Sequence, residues 1–318
     1  MAKIEKTNNE KNGNGKKGIW LSLVVPAYNE ESSLEKTVQD LMKTAAMIKQ
    51  QVEVIIVNDA STDKTYEILE EIKKQKSQKS FPKAATLATP LRVIHHKTNK
   101  GYGASLKTGI AYAQGEWILI TDCDGTYPIE TIPQLLSYTN EYDMVVGSRT
   151  GDIVETPLLR RPAKWILRKL AGLVAGQRIP DLNSGLRVFK KNIALRFWSL
   201  FPERFSFTTT ITLACMTNGY DVKFVPINYF RRQGKSSIKA RDFFNFLVLI
   251  IRILTYFRPL HMFIPLSLLM ILAGAIKAGI DFTNQHYFGV GAVMLILVGI
   301  QIGLLGLLAD LIIKRTTL

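Results

Sequence analysis

Trp117-Ile118-Leu119-Ile120-Thr121-Asp122-Cys123-Asp124-Gly125-Thr126-Tyr127-Pro128 sets an apolar run ahead of two carboxylates one residue apart. Such a run, bounded by turn residues, reads as a buried strand of a parallel sheet. Upstream, Leu21–Val25 leads into Pro26-Ala27-Tyr28-Asn29-Glu30, and Val52–Val57 into Asn58-Asp59-Ala60-Ser61-Thr62-Asp63. Leu91–Ile94, Met144–Val146 and Val222–Val225 are further strand candidates. Helical patterns run from about Glu31 to Lys49, from Thr62 towards Lys76, and over Ala104–Ala113. Ser61, Thr62 and Asp63 are candidate caps for the second of these. Lys73–Lys83 reads as a loop or a frayed helix end. This alternation predicts an α/β fold with a doubly wound, mostly parallel sheet over residues 19–240. Ligands of such sheets bind beyond the carboxyl ends of the strands, where all three polar clusters fall.

The chain has 318 residues, and Lys+Arg outnumber Asp+Glu by 41 to 26, a net charge of +15. That balance calls for an anionic partner: an acidic membrane surface or phosphorylated substrates. Nucleic acid is not expected, since no aromatic-rich binding motif or basic recognition helix is present. The two cysteines are Cys123, inside the acidic motif, and Cys215. A structural disulfide is therefore not expected, and a reducing compartment is. Residues 1–18 are rich in Lys, Asn, Glu and Gly without an apolar core, and read as a disordered tail rather than a secretory signal.

Beyond Phe243 the composition changes. Phe263–Gly279 and Val290–Ile313 are long enough to cross a hydrocarbon core of about 30 Å. The loop Asp281–Phe288 between them has no Lys or Arg, whereas Arg252, Arg258, Lys314 and Arg315 lie outside the pair. The positive-inside rule then predicts a multi-pass protein of the cell membrane with the domain and both termini cytoplasmic. The alternative is a pair of buried helices in a soluble domain. Residues 259–318 form the expected transmembrane hairpin, which also offers a face for a homo-oligomer. Gly299 and Gly303 have small-xxx-small spacing, which either packs helices closely or arises by chance. Residues 241–258 read as an amphipathic helix lying in the interface, or as a core helix of the domain.

Two carboxylates at a strand end, Asp122 and Asp124, can hold a hard divalent cation together with a diphosphate. Asp59 can accept hydrogen bonds from a base or ribose, while Ser61–Asp63 read better as helix caps. Lys100-Gly101-Tyr102-Gly103-Ala104 resembles a glycine-rich phosphate loop, a pattern nonspecific on its own. Gly147-Ser148-Arg149, Asn183-Ser184-Gly185-Leu186-Arg187 and Arg231-Arg232-Gln233-Gly234-Lys235-Ser236-Ser237 supply cations. A guanidinium donates two aligned hydrogen bonds to phosphate oxygens, although the last cluster equally suits adhesion to a membrane surface.

In order and spacing, Val24–Glu30, Asn58–Thr65, Asp122–Asp124, Gly147–Arg149 and Arg231–Ser236 resemble family 2 glycosyltransferases, in particular the dolichyl- and polyprenyl-phosphate sugar synthases. The resemblance covers about Leu21 to Arg241. It implies a GT-A fold, an inverting single displacement, a nucleotide-sugar donor of GDP-mannose or UDP-glucose type, a polyprenyl (dolichyl or undecaprenyl) phosphate acceptor, and Mg²⁺ or Mn²⁺. By position, Pro26, Tyr28, Glu30, Asp59, Cys123 and Arg231 would bind the nucleotide sugar. Asp122, Asp124 and Thr126 would hold the metal, with both carboxylates also engaging the donor diphosphate. Arg149, Ser184, Arg187, Arg231 and Ser236 would engage acceptor phosphate, and Asp122, Asp124 and Arg149 would be catalytic. The sequence departs from the family at Asn58, in place of the first Asp of a pair, at Thr126, where mannose synthases can carry Gln, and at Ser237, in place of a Lys.

Enzymes that glycosylate a hydroxyl need a carboxylate base to take its proton. The corresponding stretch here, Phe205-Ser206-Phe207-Thr208-Thr209-Thr210, has none. A phosphate acceptor is already anionic and needs positioning and cations instead. Two other readings are a processive polysaccharide synthase, against which stands the missing Gln-x-x-Arg-Trp signature, and an inactive nucleotide-sugar-binding scaffold.

Overall fold

The computed structural model describes residues 18–77, 89–152, 169–203, 206–230 and 255–316, apart from 170, 173, 174, 257 and 258. The chain divides into two compact units, 1–161 with 180–236, and 162–179 with 237–318. The first unit contains, in order, β1 (Leu21–Ala27), α1 (Leu34–Met47), β2 (Val52–Asn58), α2 (Thr65–Ser77), β3 (Leu91–His95), α3 (Tyr102–Tyr112) and β4 (Trp117–Ile120). After a 3₁₀ turn at Ile129–Thr131 come α4 (Ile132–Leu136), β5 (Met144–Ser148), β6 (Arg187–Lys190) and α5 (Lys191–Arg196). A second 3₁₀ turn, Trp198–Leu200, precedes α6 (Phe207–Thr217) and β7 (Val222–Pro226).

The seven strands form one sheet in the order β3-β2-β1-β4-β6-β5-β7. All pairings are parallel except those of β6 with β4 and β5. Every residue of β1 and β2 is buried, which explains their continuous apolar runs: a strand covered on both faces has no polar side to alternate. On α1, Leu34, Val38, Leu41, Met42 and Ala45 recur at helical spacing and are buried. At about 1.5–3 kcal/mol for each fully buried large aliphatic side chain, these contacts dominate the stability of the layer.

The sequence pattern gave no sign of β6 or α6. β6 reads Arg-Val-Phe-Lys, and its buried first residue disguises a strand only four residues long. α6 is rich in threonine, a poor helix former, yet Thr208, Thr209, Thr210 and Thr212 are buried in it. Helices α1 and α2 begin about three residues later than the pattern suggested, because 30–33 and 61–64 form turns.

Polar side chains are also buried in this unit, and Glu53 is one of them. Glu53 is 2% exposed on β2, and its Oε1 accepts from Ser22 Oγ at 2.6 Å and from the Gln114 N–H at 2.6 Å. The Gly115 N–H in turn donates to Ser22 Oγ at 2.9 Å. These bonds tie the turn between α3 and β4 to the starts of β1 and β2.

In the second unit, α7 (Pro259–Gln285) and α8 (Val290–Thr316) are long and apolar enough to cross a bilayer. They lie against each other through glycines. A Cβ built on Gly299 would come within 3.0 Å of the Ser267 carbonyl oxygen and the Ile271 nitrogen, and one on Gly303 within 2.9 Å of Ser267 Oγ. Ser267 Oγ also donates to the Gly299 carbonyl at 2.7 Å. The small-xxx-small spacing thus joins the two helices of the hairpin. α7 extends past Gly279 and carries a Lys277–Asp281 ion pair at 3.1 Å. The tail through residue 17 and nearly all of the expected interfacial helix at 241–258 lie outside the described residues.

Glu53→Ala leaves Ser22 Oγ and the Gln114 N–H without their acceptor inside the core. The expected cost is about 1–3 kcal/mol, or roughly 2–10 °C in Tm for a domain of this size. Thermal unfolding of wild type and variant in detergent checks this, and an unchanged Tm contradicts it.

Candidate active site

Strand register gathers the site. Parallel pairing sets Ala27 beside Asn58 and Val24 beside Ile120, so the segments after β1, β2 and β4 leave the same edge. Antiparallel pairing sets Ile120 and Val146 on Arg187, so the 183–186 segment enters β6 at that edge and 147–149 leaves β5 there. β1, flanked by β2 on one side and β4 on the other, is the point where the strand order reverses. Open α/β sheets bind ligands at such points.

The paired carboxylates are held tightly. Asp122 Oδ1 accepts from the Tyr102 hydroxyl at 2.9 Å. Gly185 approaches the same carboxylate so closely that a Cβ there would lie 2.6 Å from Asp122 Oδ2 and 2.9 Å from Oδ1. Asp124 is 5% exposed, and its Oδ1 accepts from the Thr126 N–H at 3.1 Å and from Thr126 Oγ1 at 2.6 Å. Thr126 therefore orients Asp124 by donating to it. Two fixed carboxylates fit a hard divalent cation, which prefers oxygen donors and keeps further positions for a diphosphate. Cys123 between them is buried, and burial first, then Glu30 and Asp124, pushes its thiol well above the ordinary range. It is a packing residue, and its carbonyl accepts from Ser33 Oγ at 2.7 Å.

Across the site, Arg149 pairs with Asp181 in a two-pronged bond, Nε to Oδ2 at 2.7 Å and Nη2 to Oδ1 at 2.8 Å. The Arg149 N–H also donates to Oδ2, and the Asn183 N–H to Oδ1. The Arg149 guanidinium lies 5.1 Å from the centre of the Tyr229 ring, which packs edge-on against Tyr127 at 5.3 Å. Burial pushes the Asp181 carboxyl up, but Arg149 and the two backbone donors outweigh it and hold it down at about 2. The Gly185 N–H donates to the Tyr127 hydroxyl at 2.6 Å, linking this group to the acidic pair.

Ser184 and Arg187 are fully buried. Ser184 Oγ donates to the Gly147 carbonyl. The Arg187 guanidinium donates to the Ser184 and Leu182 carbonyls, to Thr208 O at 2.8 Å and to Thr212 Oγ1 at 2.7 Å. Burial lowers its pKa to about 10. In this structure both side chains bind the fold rather than face an acceptor.

On the β2 side, Asp59 is 3% exposed and receives three donors from the protein itself. They are the Lys100 N–H at 2.9 Å, the Gly101 N–H at 2.7 Å and His96 Nδ1 at 2.7 Å. The glycine-containing segment at 100–104 thus directs its first N–H groups at a carboxylate and not outward to phosphate. Pro26 is buried in β1, Glu30 is buried after it, and Tyr28 is 42% exposed at the edge. Asp63 Oδ1 accepts from the Thr65 N–H at 3.0 Å, a cap at the start of α2. Arg231 and Ser236 lie outside the described residues. Tyr102, Tyr127, Asp181 and Tyr229 are additions that the sequence reading did not assign.

Residues 22–198 match the profile of glycosyl transferase family 2, more than half of the chain. The chain belongs to that family. Residues 258–314 match the GtrB C-terminal hairpin. The dolichyl-phosphate hexose transferase of Haloferax volcanii is 27% identical over 69% of this chain and 86% of its own length. The UDP-N-acetylglucosamine–dolichyl-phosphate N-acetylglucosaminyltransferase of Methanococcus voltae is 30% identical over 64% of this chain and 83% of its own. Among solved structures, glucosyl-3-phosphoglycerate synthase from Mycobacterium tuberculosis, in complex with Mn²⁺, UDP and glucosyl-3-phosphoglycerate, aligns with a TM-score of 0.53. Its 17% identity, over 74% of this chain and 79% of that one, establishes a shared GT-A fold.

Asp181 has its folded pKa depressed from 3.8 to about 2, so its pairing stabilises the enzyme above about pH 4 and is lost as pH falls towards 2. Asp181→Asn should cost roughly 2 kcal/mol at pH 7. Thermal unfolding of both proteins across pH 7 to pH 3 should show the gap narrowing in acid. A gap independent of pH contradicts the assignment.

Proposed function

We propose that this enzyme transfers a sugar from a nucleotide-diphosphate sugar, of GDP-mannose or UDP-glucose type, to a polyprenyl phosphate, with inversion at the anomeric carbon. The observation that carries the reading is the chemistry of the acceptor side. The first turn of α6 presents Thr208, Thr209 and Thr210, with no carboxylate among residues 206–210. Thr209 Oγ1 donates to Asn183 Oδ1 at 2.5 Å. A hydroxyl acceptor would need a base there, whereas a phosphate monoester brings its own anionic nucleophile.

In this reading an acceptor phosphate oxygen attacks the anomeric carbon while the bond from that carbon to the donor diphosphate breaks. Asp122 and Asp124 would hold Mg²⁺ or Mn²⁺, which when bound offsets the charge growing on the departing diphosphate. Arg149 approaches the acceptor phosphate with the N–H groups that Asp181 leaves unused, since a guanidinium has five and the two-pronged pair takes two. Asp181 fixes the direction of that fork, so little side-chain entropy is lost when phosphate arrives. Pro26, Tyr28 and Glu30, at the end of β1, flank the nucleotide. The H. volcanii and M. voltae relatives, whose names specify dolichyl phosphate, support the acceptor class. The two membrane-length helices fit a lipid acceptor, and the placement of Arg252, Arg258, Lys314 and Arg315 fits a cytoplasmic catalytic unit.

Purified enzyme given polyprenyl phosphate, Mn²⁺ and a panel of labelled UDP- and GDP-sugars should yield labelled lipid with one donor and lose it on adding EDTA. Asp122→Ala and Asp124→Ala should each lower kcat at least 100-fold while circular dichroism stays unchanged. Full activity in either variant, or indifference to EDTA, contradicts the metal assignment.

A further inference from the structure

Tyr102 belongs to neither the acidic motif nor the cationic segments, yet its hydroxyl reaches Asp122. Three observations fix its position. The Gly101 and Lys100 N–H groups are anchored on Asp59 at the end of β2, so the residue before Tyr102 cannot drift. The Ala104 N–H donates to the Glu203 carbonyl at 2.6 Å, and a Cβ on Gly103 would collide with the Pro202 carbonyl oxygen. Ser105, through its N–H and its hydroxyl, closes the turn onto the Gly101 carbonyl at 3.0 and 3.1 Å. The first turn of α3 is thereby clamped from two sides. The Tyr102 hydroxyl is the donor of this pair, because an ionised carboxylate can only accept.

Gly185 also crowds Asp122: a Cβ there would lie within 3 Å of both carboxylate oxygens, and the Gly185 N–H donates to the Tyr127 hydroxyl. A carboxylate that accepts a fixed donor and has a backbone packed close to it loses side-chain freedom. A ligand that must meet a cation with a second carboxylate, two residues away, gains from losing that freedom before binding.

We infer that Tyr102 is a positioning residue that sets the Asp122 carboxylate for divalent-cation and nucleoside-diphosphate binding, with Gly185 leaving room for that carboxylate. The inference rests on reading Asp122 as a metal and diphosphate ligand. Asp59 enters the same chain: by anchoring the Lys100 and Gly101 N–H groups it sets where α3 begins, and so where the Tyr102 hydroxyl points.

The test titrates Mn²⁺, followed by its electron paramagnetic resonance signal, into detergent-solubilised full-length protein with saturating UDP or GDP, alongside steady-state transfer. Tyr102→Phe keeps the ring and removes only the donor. It should weaken Mn²⁺ binding about 10-fold or more, as loss of a hydrogen bond to a metal ligand typically does, with the KM for polyprenyl phosphate unchanged. Gly185→Ala, whose Cβ would displace the Asp122 carboxylate, should weaken Mn²⁺ binding in the same way and carries the test if Tyr102→Phe does not fold. Tyr112→Phe, on the same helix but 54% exposed, should behave as wild type. Wild-type Mn²⁺ binding in Tyr102→Phe, even with reduced kcat, overturns the role of Tyr102 alone. A wild-type protein that binds no Mn²⁺ with either nucleotide overturns the metal reading and this inference together.

Discussion

The Arg187 guanidinium is enclosed by the carbonyls of Leu182 and Ser184, the carbonyl of Thr208 and the hydroxyl of Thr212, and the geometry of the site depends on it. It joins the start of β6, the 182–186 segment and the first turns of α6. Because that segment is fixed, Gly185 stands against Asp122 and Ser184 binds the end of β5. A buried cation with neutral acceptors is costly unless its donors are well placed. Arg187 meets that condition with hydroxyl and carbonyl oxygens, and no carboxylate among the described residues bonds its guanidinium directly. Such a charge also favours anions at short range.

Two kinds of interaction therefore divide the site. In one, carboxylates are held by neutral donors, Tyr102 for Asp122 and Thr126 for Asp124. In the other, Arg149 is held by Asp181. In each case a neighbouring group fixes the side chain that would meet the ligand. The sheet makes this economical: strand ends meeting at one edge place segments distant in sequence within hydrogen-bond reach.

Much of this was legible in the sequence. The apolar runs of β1, β2 and β4 and the polar clusters after them located the edge, and the acidic pair stood where an α/β sheet needs it. The hairpin was equally plain in the length and apolar composition of its two helices. What could not be read has physical causes. β6 is short and begins with a buried arginine, a residue that composition assigns to the surface. The partner of Arg149 lies 32 positions away, with no local pattern to announce it. Lys100–Ala104 has the composition of a phosphate loop, yet its first N–H groups meet Asp59, a contact that depends on where β2 ends relative to α3. Arg187 and Ser184 fitted a motif of phosphate-binding residues but are turned inward by the antiparallel entry of β6.

Absence of a carboxylate at the start of α6 ties acceptor chemistry to structure more directly than any other feature, and it can be examined by changing only the acceptor. Enzyme, labelled donor and Mn²⁺ are held constant, and a polyprenyl phosphate is compared with the same polyprenol lacking its phosphate. Labelled lipid formed from the phosphate, with none from the free alcohol, is the result predicted here. Comparable product from the alcohol would show that a base is present after all, and would contradict the account at its centre.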